Sequence, residues 1–538
     1  MAVRRLEWAL GFVYGGEGVE LARALVPELR AFARAHPDKA GPTDRLDLLP
    51  GEVMLIAYPD QVRASGRPGL AVLRNFIQRR LPFFTDLHLL PHYPYSSDDG
   101  FAVVDYYAVR EGLGGWAEVR RLAKERRLML DAVINHASSQ SIWFQRFLNG
   151  DPPYDRFFLT DEGWDTSRVI RPRTTPLFTE IGGRRVWTTF SPDQVDLDYR
   201  NPEVFRAVLE VLLFYVAQGA EFLRLDAVGF LWKAPGRRSL NEPETHALVK
   251  AFRAALDLAA PRVKLVTETN VPHDENVAYF GEGYDEAQLV YNFALPPLVL
   301  HAYARGDART LRDWASGLRA PGPRTAFLNF LASHDGIGLR PIEGILPESE
   351  IALLVERARA HGGEVSERAS PEGPRPYELN LTWWDALNPP GTDEITGLRR
   401  HLGSHVLLLS IAGLPAVYFH SLFGTPSWFE GYRSSGVKRW LNRRRFEVGE
   451  LEAALAGSGH RFARVLAGMR ALFARVRPHP QARHHLLDAP PGVFATERDG
   501  YRFYVNLTSR PVRLDEKGPP LVGEGPDLAA WGFGVWAG

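Results

Sequence analysis

The feature that most constrains the fold of this chain is a series of eight short apolar runs separated by longer amphipathic stretches. Most of the runs are too short for helices, and we interpret them as parallel strands buried on both faces. Helical patterns lie between them, for example PEVFRAVLEVLLFYVAQG (202–219), which ends near a glycine. Eight strand–helix repeats predict an α/β fold, the (β/α)8 TIM barrel. The runs are 53–58, 87–91, 128–136, 221–228, 264–269, 288–293, 326–335 and 414–420.

Two connections are too long for a plain barrel and predict inserted subdomains. Residues 137–200 are rich in aromatics, Pro and Gly, and residues 336–395 include the loop-like segment HGGEVSERASPEGPRPYELN. The barrel is then expected to comprise residues 51–136, 201–335 and 396–477.

Both ends of the chain carry further segments. Residues 1–50 have leucines at helical spacing, which predicts an N-terminal helical extension with a kink or a restart at Pro27. Residues 478–538 alternate between apolar and polar side chains around the turn signal Asp499-Gly500. That pattern predicts a C-terminal antiparallel β domain.

Composition excludes several classes of function. The 64 basic and 64 acidic residues give a formal net charge of zero, which argues against nucleic acid or an anionic membrane as a partner. Without cysteine, disulfides, thiolate zinc sites and cysteine nucleophiles are impossible. The N-terminus lacks the pattern of a signal peptide, and the most apolar run (405–419) is too short to span a membrane. We therefore expect a cytoplasmic protein, a monomer or homodimer, with small-molecule partners.

Polar residues stand at the carboxyl ends of the predicted strands, where the active sites of such barrels lie. Each one alone has an ordinary explanation, such as a helix cap, a surface ion pair or a structural histidine. Together, three carboxyl groups, two histidines and an arginine predict a catalytic site. They are His136 (with Asn135 before it), Arg224, Asp226, Glu268, His334 and Asp335.

Enzymes that transfer a glycosyl group with retention of configuration use a pair of carboxyl groups on either side of the sugar. Asp226 suits the nucleophile, because Arg224 two residues earlier should keep it ionised. Glu268 follows apolar residues and suits the acid/base, since partial burial would raise its pKa. Asp335 would hold the substrate hydroxyls and stabilise the oxocarbenium-like transition state.

Four segments resemble the signature regions of the α-amylase superfamily, glycoside hydrolase family 13. They are DAVINH (131–136), FLRLDAVGF (222–230), VTETN (266–270) and FLASHDGIG (330–338). The residues in these segments are most similar to those of the sucrose-phosphorylase branch. Two further segments resemble that branch as well, FALPPLVLHA (293–302) and VWTTFSPDQVDLD (186–198). The resemblance runs from about residue 50 to residue 480. It implies a barrel with two insertions, called B and B′, and a C-terminal β domain.

The resemblance also implies site residues, carried over position by position. Asp226 matches the nucleophile, Glu268 the acid/base and Asp335 the transition-state stabiliser. The glucose subsite is matched by Asp98, Phe101, His136, Arg224, His334 and Arg439. The acceptor and phosphate side is matched by Arg173, Phe190, Gln194, Tyr377 and Leu379. Core packing is the alternative for the two phenylalanines, and a solvated basic loop is the alternative for Lys438, Arg439 and 443–445.

Two residues depart from the sucrose phosphorylases at positions that handle the acceptor. Asn270 stands where that branch has histidine, and Glu378 where it has glutamine. The surrounding segments are similar to members of the branch that use glycerate. The implied reaction is reversible phosphorolysis of 2-O-α-glucosylglycerate to α-glucose 1-phosphate and D-glycerate. Because glycerate is an anion, its site should offer cations, and Arg173 is a candidate on position alone.

The resemblance implies no cofactor, since orthophosphate is itself a substrate. Asn135 matches an asparagine that ligates calcium in many amylases, but the phosphorylase branch lacks that metal, so we expect none. Three alternatives stay open: a hydrolase or transglucosidase with the same trio, a phosphorylase of sucrose or another α-glucoside, and a non-catalytic barrel. The last is disfavoured because all three catalytic carboxyl groups are present.

Overall fold

The computed structural model describes residues 1–42, 44–370 and 373–538. Its centre is a closed barrel of eight parallel strands, numbered β1–β8 here in chain order. Each strand pairs with the next along the chain, and β8 closes the barrel on β1. The predicted (β/α)8 barrel is confirmed, and every apolar run forms one of its strands. The strands are Met54–Ala57, Asp86–Leu89, Arg127–Val133, Ala220–Asp226, Lys264–Thr267, Leu289–Tyr291, Ala326–Asn329 and Leu414–Tyr418.

The helices that follow the strands shield the barrel from solvent. In the helix that leads into β4, the side chain of Asn201 accepts a hydrogen bond from the backbone N–H of Glu203, and Pro202 occupies the first turn. The barrel helices are Gly69–Arg80, Trp116–Glu125, Pro202–Ala217, Pro243–Ala259, Leu295–Arg305, Arg309–Gly317, Glu394–Ser410 and Arg461–Arg475. Shorter helices are Ile142–Asn149, His273–Val277, Glu348–Ala360, Trp383–Leu387, Phe429–Ser435 and Val448–Ala456.

Between β3 and the helix at 202–217, the chain forms two small antiparallel pairs. His136–Ser138 pairs with Gln194–Asp196, and Phe178–Ile181 pairs with Arg184–Trp187. The first pair lies directly beside the carboxyl end of β3, so it brings this inserted segment to the mouth of the barrel.

Between β7 and the helix at 394–410, the chain forms a three-stranded antiparallel sheet. Its strands are Ile337–Gly338, Glu364–Arg368 and Arg375–Asn380. The loop-like interpretation of HGGEVSERASPEGPRPYELN is therefore wrong for most of that segment. The buried pair Val365 and Leu379 lies directly opposite across two strands, and this apolar contact outweighs the many polar residues around it.

The N-terminal extension consists of helices Ala2–Tyr14 and Gly16–Ala35, which both pack on the barrel helix Pro243–Ala259. The expected restart at Pro27 does not occur. The second helix runs through Pro27, which is on the exposed face, where water can satisfy the carbonyl that its missing N–H leaves free. The break falls at Gly15 instead, whose φ of 64° is in the left-handed region that glycine tolerates.

The C-terminal segment forms a five-stranded antiparallel sheet, as expected. Its strands, in spatial order, are His484–Leu486, Val493–Arg498, Tyr501–Asn506, Phe533–Ala537 and Val522–Gly523. In the part of the chain that the structure describes, no helix combines the length and apolar character needed to cross a bilayer.

Candidate active site

One cavity at the carboxyl ends of the barrel strands collects nearly all of the predicted site residues. Arg224 lies beneath the lining, where it contacts Asp226. Leu379 is fully buried and does not line the cavity, so direct contact with an acceptor is not supported for it. The predicted residues that line the cavity are Asp98, Phe101, His136, Arg173, Phe190, Gln194, Asp226, Glu268, Asn270, His334, Asp335, Tyr377, Glu378 and Arg439.

Asp226 ends β4 and is held from below by Arg224, two residues earlier on the same strand. Arg224 Nη1 donates to Asp226 Oδ1 at 2.8 Å and to Asp131 Oδ1 at 2.5 Å. Asp131 on β3 is in turn 2.9 Å from His88 Nε2 on β2. Three neighbouring strands thus fix the orientation of one carboxyl group through a chain of buried hydrogen bonds.

Glu268 follows β5 and lies beside Asp226. The backbone N–H of Ala227 donates to Glu268 Oε2 at 2.9 Å. Ala227 has a φ of 50°, the left-handed region that a non-glycine residue rarely adopts, and this turn aims its N–H at Glu268. The nearest guanidinium atom, Arg224 Nη2, is 4.0 Å from Glu268 Oε2.

The two carboxyl groups compete for a proton. Burial raises the pKa of both Asp226 and Glu268 above the ordinary values, and the charge of Arg224 opposes the rise in each. The expectation that Arg224 alone keeps Asp226 ionised is therefore incomplete, because the cost of burying the charge outweighs the attraction. Arg224 makes a hydrogen bond to Asp226 and only a 4.0 Å contact to Glu268, whereas the backbone N–H of Ala227 favours the ionised form of Glu268.

Asp335, after β7, has the opposite electrostatic setting. Burial acts to raise its pKa, but the charges of Arg439 and Arg443 hold the pKa well below its usual range. Arg439 Nη1 lies 2.7 Å from Asp335 Oδ1, and Arg443 Nη2 lies 3.7 Å from the same oxygen. His334 Nε2 is 3.3 Å from Asp335 Oδ2. Asp335 is thus a fixed negative charge that can accept hydrogen bonds from a sugar.

The far wall of the cavity is built from the inserted segment before β4 and from the loop at 98–101. His136 Nε2 is 2.9 Å from the carbonyl oxygen of Phe101, and the Gln194 amide donates to that oxygen at 3.1 Å. The ring of Phe101 stacks on His334 with centroids 4.8 Å apart. Asp98 has a φ of 50°, a strained conformation typical of functional sites.

The outer part of the cavity belongs to the second insertion. Register between Ser366 and Glu367 shifts by one residue, so that Ser366 pairs with Glu378 and Glu367 with Pro376. Tyr377 is therefore the extra residue of a β-bulge, which explains how Tyr377 and Glu378 can both line the cavity. Arg439 Nη2 donates to both carboxylate oxygens of Glu378, at 3.0 and 3.1 Å.

Asn270 and Arg173 complete this outer part. A Cβ on Gly338 would lie 2.6 Å from Asn270 Oδ1, so glycine is needed for the amide to pack there. Asn270 Oδ1 is buried and has no hydrogen-bond partner among the described residues. The guanidinium carbon of Arg173 lies 5.8 Å from the centre of the Phe190 ring.

Sequence reasoning missed two arginines that support the site. Arg443 and Arg445 are buried rather than part of a solvated basic loop. Arg443 Nε donates to the carbonyl of His334 at 2.8 Å, and Arg445 pairs with Asp60 and Asp99. The sequence shows a cluster of arginines after Arg439, but the residues that bind Arg443 and Arg445 lie more than a hundred positions away.

The ammonium group of Lys233 lies next to the side chain of Asn135. Lys233 Nζ donates to Asn135 Oδ1 at 2.6 Å and lies 2.7 Å from Asp196 Oδ2. All three side chains are buried. The amide oxygen that matches a calcium ligand in amylases is therefore already bound by a cation of the chain itself. Within the described ranges, no group of three or more His, Cys, Asp or Glu is arranged to hold a metal ion.

Comparison with known sequences gives specific relatives. A family model for the α-amylase catalytic domain matches residues 83–335. A glucosylglycerate phosphorylase of Allomeiothermus silvanus is 47% identical over 531 residues, covering 95% of this chain and 94% of the relative. A glucosylglycerate phosphorylase of Spirochaeta thermophila is 42% identical, covering 92% of this chain and 86% of the relative.

A solved structure shares the fold. The crystal structure of sucrose 6F-phosphate phosphorylase from Thermoanaerobacter thermosaccharolyticum superposes with a TM-score of 0.73 over 85% of this chain and 94% of that one. Because the sequences are 24% identical, this likeness carries the fold alone.

Proposed function

This chain belongs to the family of the glucosylglycerate phosphorylases, and from that premise we propose that it catalyses reversible phosphorolysis of 2-O-α-D-glucosyl-D-glycerate to α-D-glucose 1-phosphate and D-glycerate. The observation that carries the proposal is the convergence of Asp226, Glu268 and Asp335 on one cavity, where burial raises the pKa of the first two and nearby arginines hold the pKa of Asp335 low. The names of two relatives that match over most of the chain supply the acceptor.

In the first step, a carboxylate oxygen of Asp226 attacks the anomeric carbon of the glucosyl unit. The bond from that carbon to the glycerate oxygen breaks, and Glu268 gives its proton to the departing oxygen. The product is a β-glucosyl ester of Asp226 and free glycerate. Arg224 keeps the carboxylate of Asp226 oriented by a hydrogen bond. The step requires Asp226 to be ionised and Glu268 to be protonated in the reacting complex.

In the second step, orthophosphate takes the place of glycerate. A phosphate oxygen attacks the anomeric carbon from the opposite face, the ester bond to Asp226 breaks, and Glu268 accepts the proton that the phosphate releases. Two inversions restore the α configuration. The chemistry needs no cofactor, because phosphate is the second substrate.

Asp335, held in place by Arg439, stabilises the glucosyl unit in the transition states of both steps. Positive charge develops on the ring as the anomeric bond breaks, and Asp335 stays ionised to meet it. Arg439 fixes Asp335 and Glu378 together, so the glucose side and the acceptor side share one guanidinium. His136 and His334 are held neutral by burial, which lowers the pKa of both, and can exchange hydrogen bonds with sugar hydroxyls.

The experiment that tests the proposal is to incubate the protein with glucosylglycerate or sucrose, each with and without orthophosphate. We expect glucose 1-phosphate and glycerate from glucosylglycerate, only when phosphate is present. Release of free glucose at the same rate without phosphate would identify a hydrolase, and faster turnover of sucrose would identify a sucrose phosphorylase. A cytoplasmic location and a monomeric or homodimeric state stay predictions.

A further inference from the structure

The hydrogen bonds beneath Asp226 continue beyond His88 to a further strand of the barrel. The second ring nitrogen of His88, Nδ1, lies 3.4 Å from the hydroxyl of Tyr291, the last residue of β6. Both side chains are buried, and neither lines the cavity. The contact between Arg224 and Asp226 is therefore supported by two residues that lie outside the cavity wall.

The contacts of His88 decide which of its ring nitrogens carries the proton. Burial acts to raise the pKa of Asp131, but the charges of Arg224 and His88 lower it, so Asp131 is ionised and its oxygens only accept hydrogen bonds. Nε2 of His88, 2.9 Å from Asp131 Oδ2, is therefore the nitrogen that donates, and Nδ1 accepts from the hydroxyl of Tyr291. Burial lowers the pKa of His88, and so does Arg224, whereas Asp131 and Asp335 raise it. The net effect is a lowered pKa, which keeps the ring neutral.

Tyr291 also contacts the guanidinium that this network holds. The guanidinium carbon of Arg224 lies 5.7 Å from the centre of the Tyr291 ring and 5.6 Å from the centre of the Phe101 ring. Arg224 itself is only 2% exposed. In surroundings with so little access to water, a hydrogen bond to a charge is strong, and no solvent molecule readily replaces a partner that moves away.

One nitrogen of Arg224 serves two carboxylates. Nη1 donates to Asp131 Oδ1 at 2.5 Å and to Asp226 Oδ1 at 2.8 Å. The position of Nη1 between them depends on where Asp131 is held, and His88 donates to the other oxygen of Asp131. Without that donor, Asp131 would attract the guanidinium more strongly, and the contact between Arg224 and Asp226 would lengthen.

We propose that His88 and Tyr291 are positioning residues for the attack by Asp226. They hold Asp131, which in turn places the guanidinium of Arg224 against the attacking carboxylate. Four strands of the barrel, β2, β3, β4 and β6, contribute to this one arrangement. The inference rests on the proposed function only in taking Asp226 as the nucleophile, and it holds for any acceptor.

The charged groups around Asp226 determine the direction of the expected change with pH. Burial raises the pKa of Asp226, and the charges of Glu268, Asp131 and Asp335 raise it as well. Only Arg224 opposes them among the groups that face this carboxyl. A guanidinium that moves away from Asp226 therefore lets its pKa rise further, and activity is then lost at a higher pH.

The test uses α-glucosyl fluoride, because fluoride departs without a proton and kcat/KM for this donor reports only the formation of the glucosyl-enzyme. For His88→Leu we expect kcat/KM to fall roughly 10- to 100-fold, the usual effect of a misplaced reacting group. Its acid limb should move to higher pH by about one pH unit. Tyr291→Phe keeps the ring and removes one neutral hydrogen bond, so we expect a fall of about threefold and a smaller movement in the same direction.

Glutamine and asparagine at position 88 separate positioning from packing. The amide nitrogen of glutamine can take the place of Nε2 and donate to Asp131, whereas the shorter asparagine reaches only the place of Nδ1. We expect His88→Gln to stay within about threefold of the wild-type kcat/KM, with its acid limb in place, and His88→Asn to behave like His88→Leu. This pair carries the test if His88→Leu does not fold.

His484→Leu is the matched control, because it also removes a buried histidine with two hydrogen bonds. His484 Nε2 donates to the carbonyl of Ala315 at 2.9 Å, its Nδ1 accepts from the backbone N–H of Ala412 at 3.1 Å, and the residue does not line the active-site cavity. We expect a lower melting temperature, as for His88→Leu, but an unchanged acid limb and a kcat/KM within about twofold of the wild type.

Two results would overturn the inference: an acid limb that does not move to higher pH in His88→Leu and His88→Asn, or a loss of activity in His88→Gln as large as in His88→Asn. Failure of the proposed function gives a different result. In that case the wild-type enzyme releases fluoride from the donor but forms no glucose 1-phosphate when orthophosphate is added, while the variants at position 88 still decide the inference.

Discussion

Nη1 of Arg224 lies 2.8 Å from Oδ1 of Asp226, directly below the cavity floor. This contact opposes the effect of burial, which raises the pKa of Asp226. Because Asp226 must be ionised to attack, activity is lost as the pH falls through the pKa of that carboxyl. The position of the acid limb of the pH profile therefore reports how strongly Arg224 holds it.

For Arg224→Gln we expect this acid limb in kcat/KM to move to higher pH. Removing the cation removes the attraction for the ionised form, so the pKa of Asp226 rises further. The measurement is kcat/KM for glucosylglycerate across pH. Arg359→Gln is the control whose acid limb should not move, because Arg359 is half-exposed and pairs with Glu356 away from the cavity. An acid limb that stays in place, or moves to lower pH, would contradict the role of Arg224.

Asp226→Asn should reduce kcat by roughly 10⁴-fold or more, since a covalent route loses its first bond. The same substitution removes a charge that burial disfavours, so the melting temperature should stay equal or rise. Steady-state rates and thermal unfolding on the same sample separate the two effects. A variant that retains a substantial fraction of the wild-type rate would exclude Asp226 as nucleophile.

Glu268→Gln should impair turnover in proportion to how much the leaving group needs a proton. Glycerate departs poorly without one, whereas fluoride departs readily, so α-glucosyl fluoride should partly bypass the substitution. We expect a loss of at least about 100-fold with glucosylglycerate and a much smaller loss in formation of the glucosyl-enzyme from the fluoride. Normal turnover of glucosylglycerate would remove Glu268 from the acid/base role.

Glu378→Gln and Asn270→His should change acceptor preference. Each restores the residue that the sucrose-phosphorylase pattern has at that position, and both side chains line the outer cavity. We expect the ratio of kcat/KM for sucrose to that for glucosylglycerate to rise about tenfold in the double variant, the size of one hydrogen bond gained or lost. A ratio equal to that of the wild type would show that these two positions do not determine which acceptor the enzyme prefers.

Lys233→Met should destabilise the protein by about 3–5 kcal/mol, because it leaves the buried Asp196 without its cation. Chemical denaturation with a linear extrapolation gives the free energy of unfolding. Lys124→Met, at an exposed helical position, is the matched control and should change stability by less than about 0.5 kcal/mol. Equal stabilities for the two variants would contradict the structural role of Lys233.

The barrel could be predicted from sequence because its signal is local. Each of the eight strands is a short apolar run, and the catalytic residues Asp226 and Glu268 stand at the end of β4 and directly after β5. The strands at 364–368 and 375–380 escaped prediction because their stability comes from a contact between Val365 and Leu379 that no short window of sequence reveals.

Charge networks were the least predictable part of the site. Arg445 joins Asp60 and Asp99, residues separated from it by 385 and 346 positions, so its burial depends on the completed fold. The pKa of Asp226 escaped prediction for a related reason: its neighbour Arg224 is visible in the sequence, but the cost of burying the carboxylate is not.

Lys233 ties the inserted segment at Asp196 to the chain that follows β4, with a cation that is covalently part of the protein. Orthophosphate, the second substrate of the proposed reaction, forms poorly soluble salts with calcium. A tether made of an ammonium group cannot be stripped by chelators or sequestered by the second substrate. This contact in the wall of the cavity therefore does not depend on a supply of metal ions.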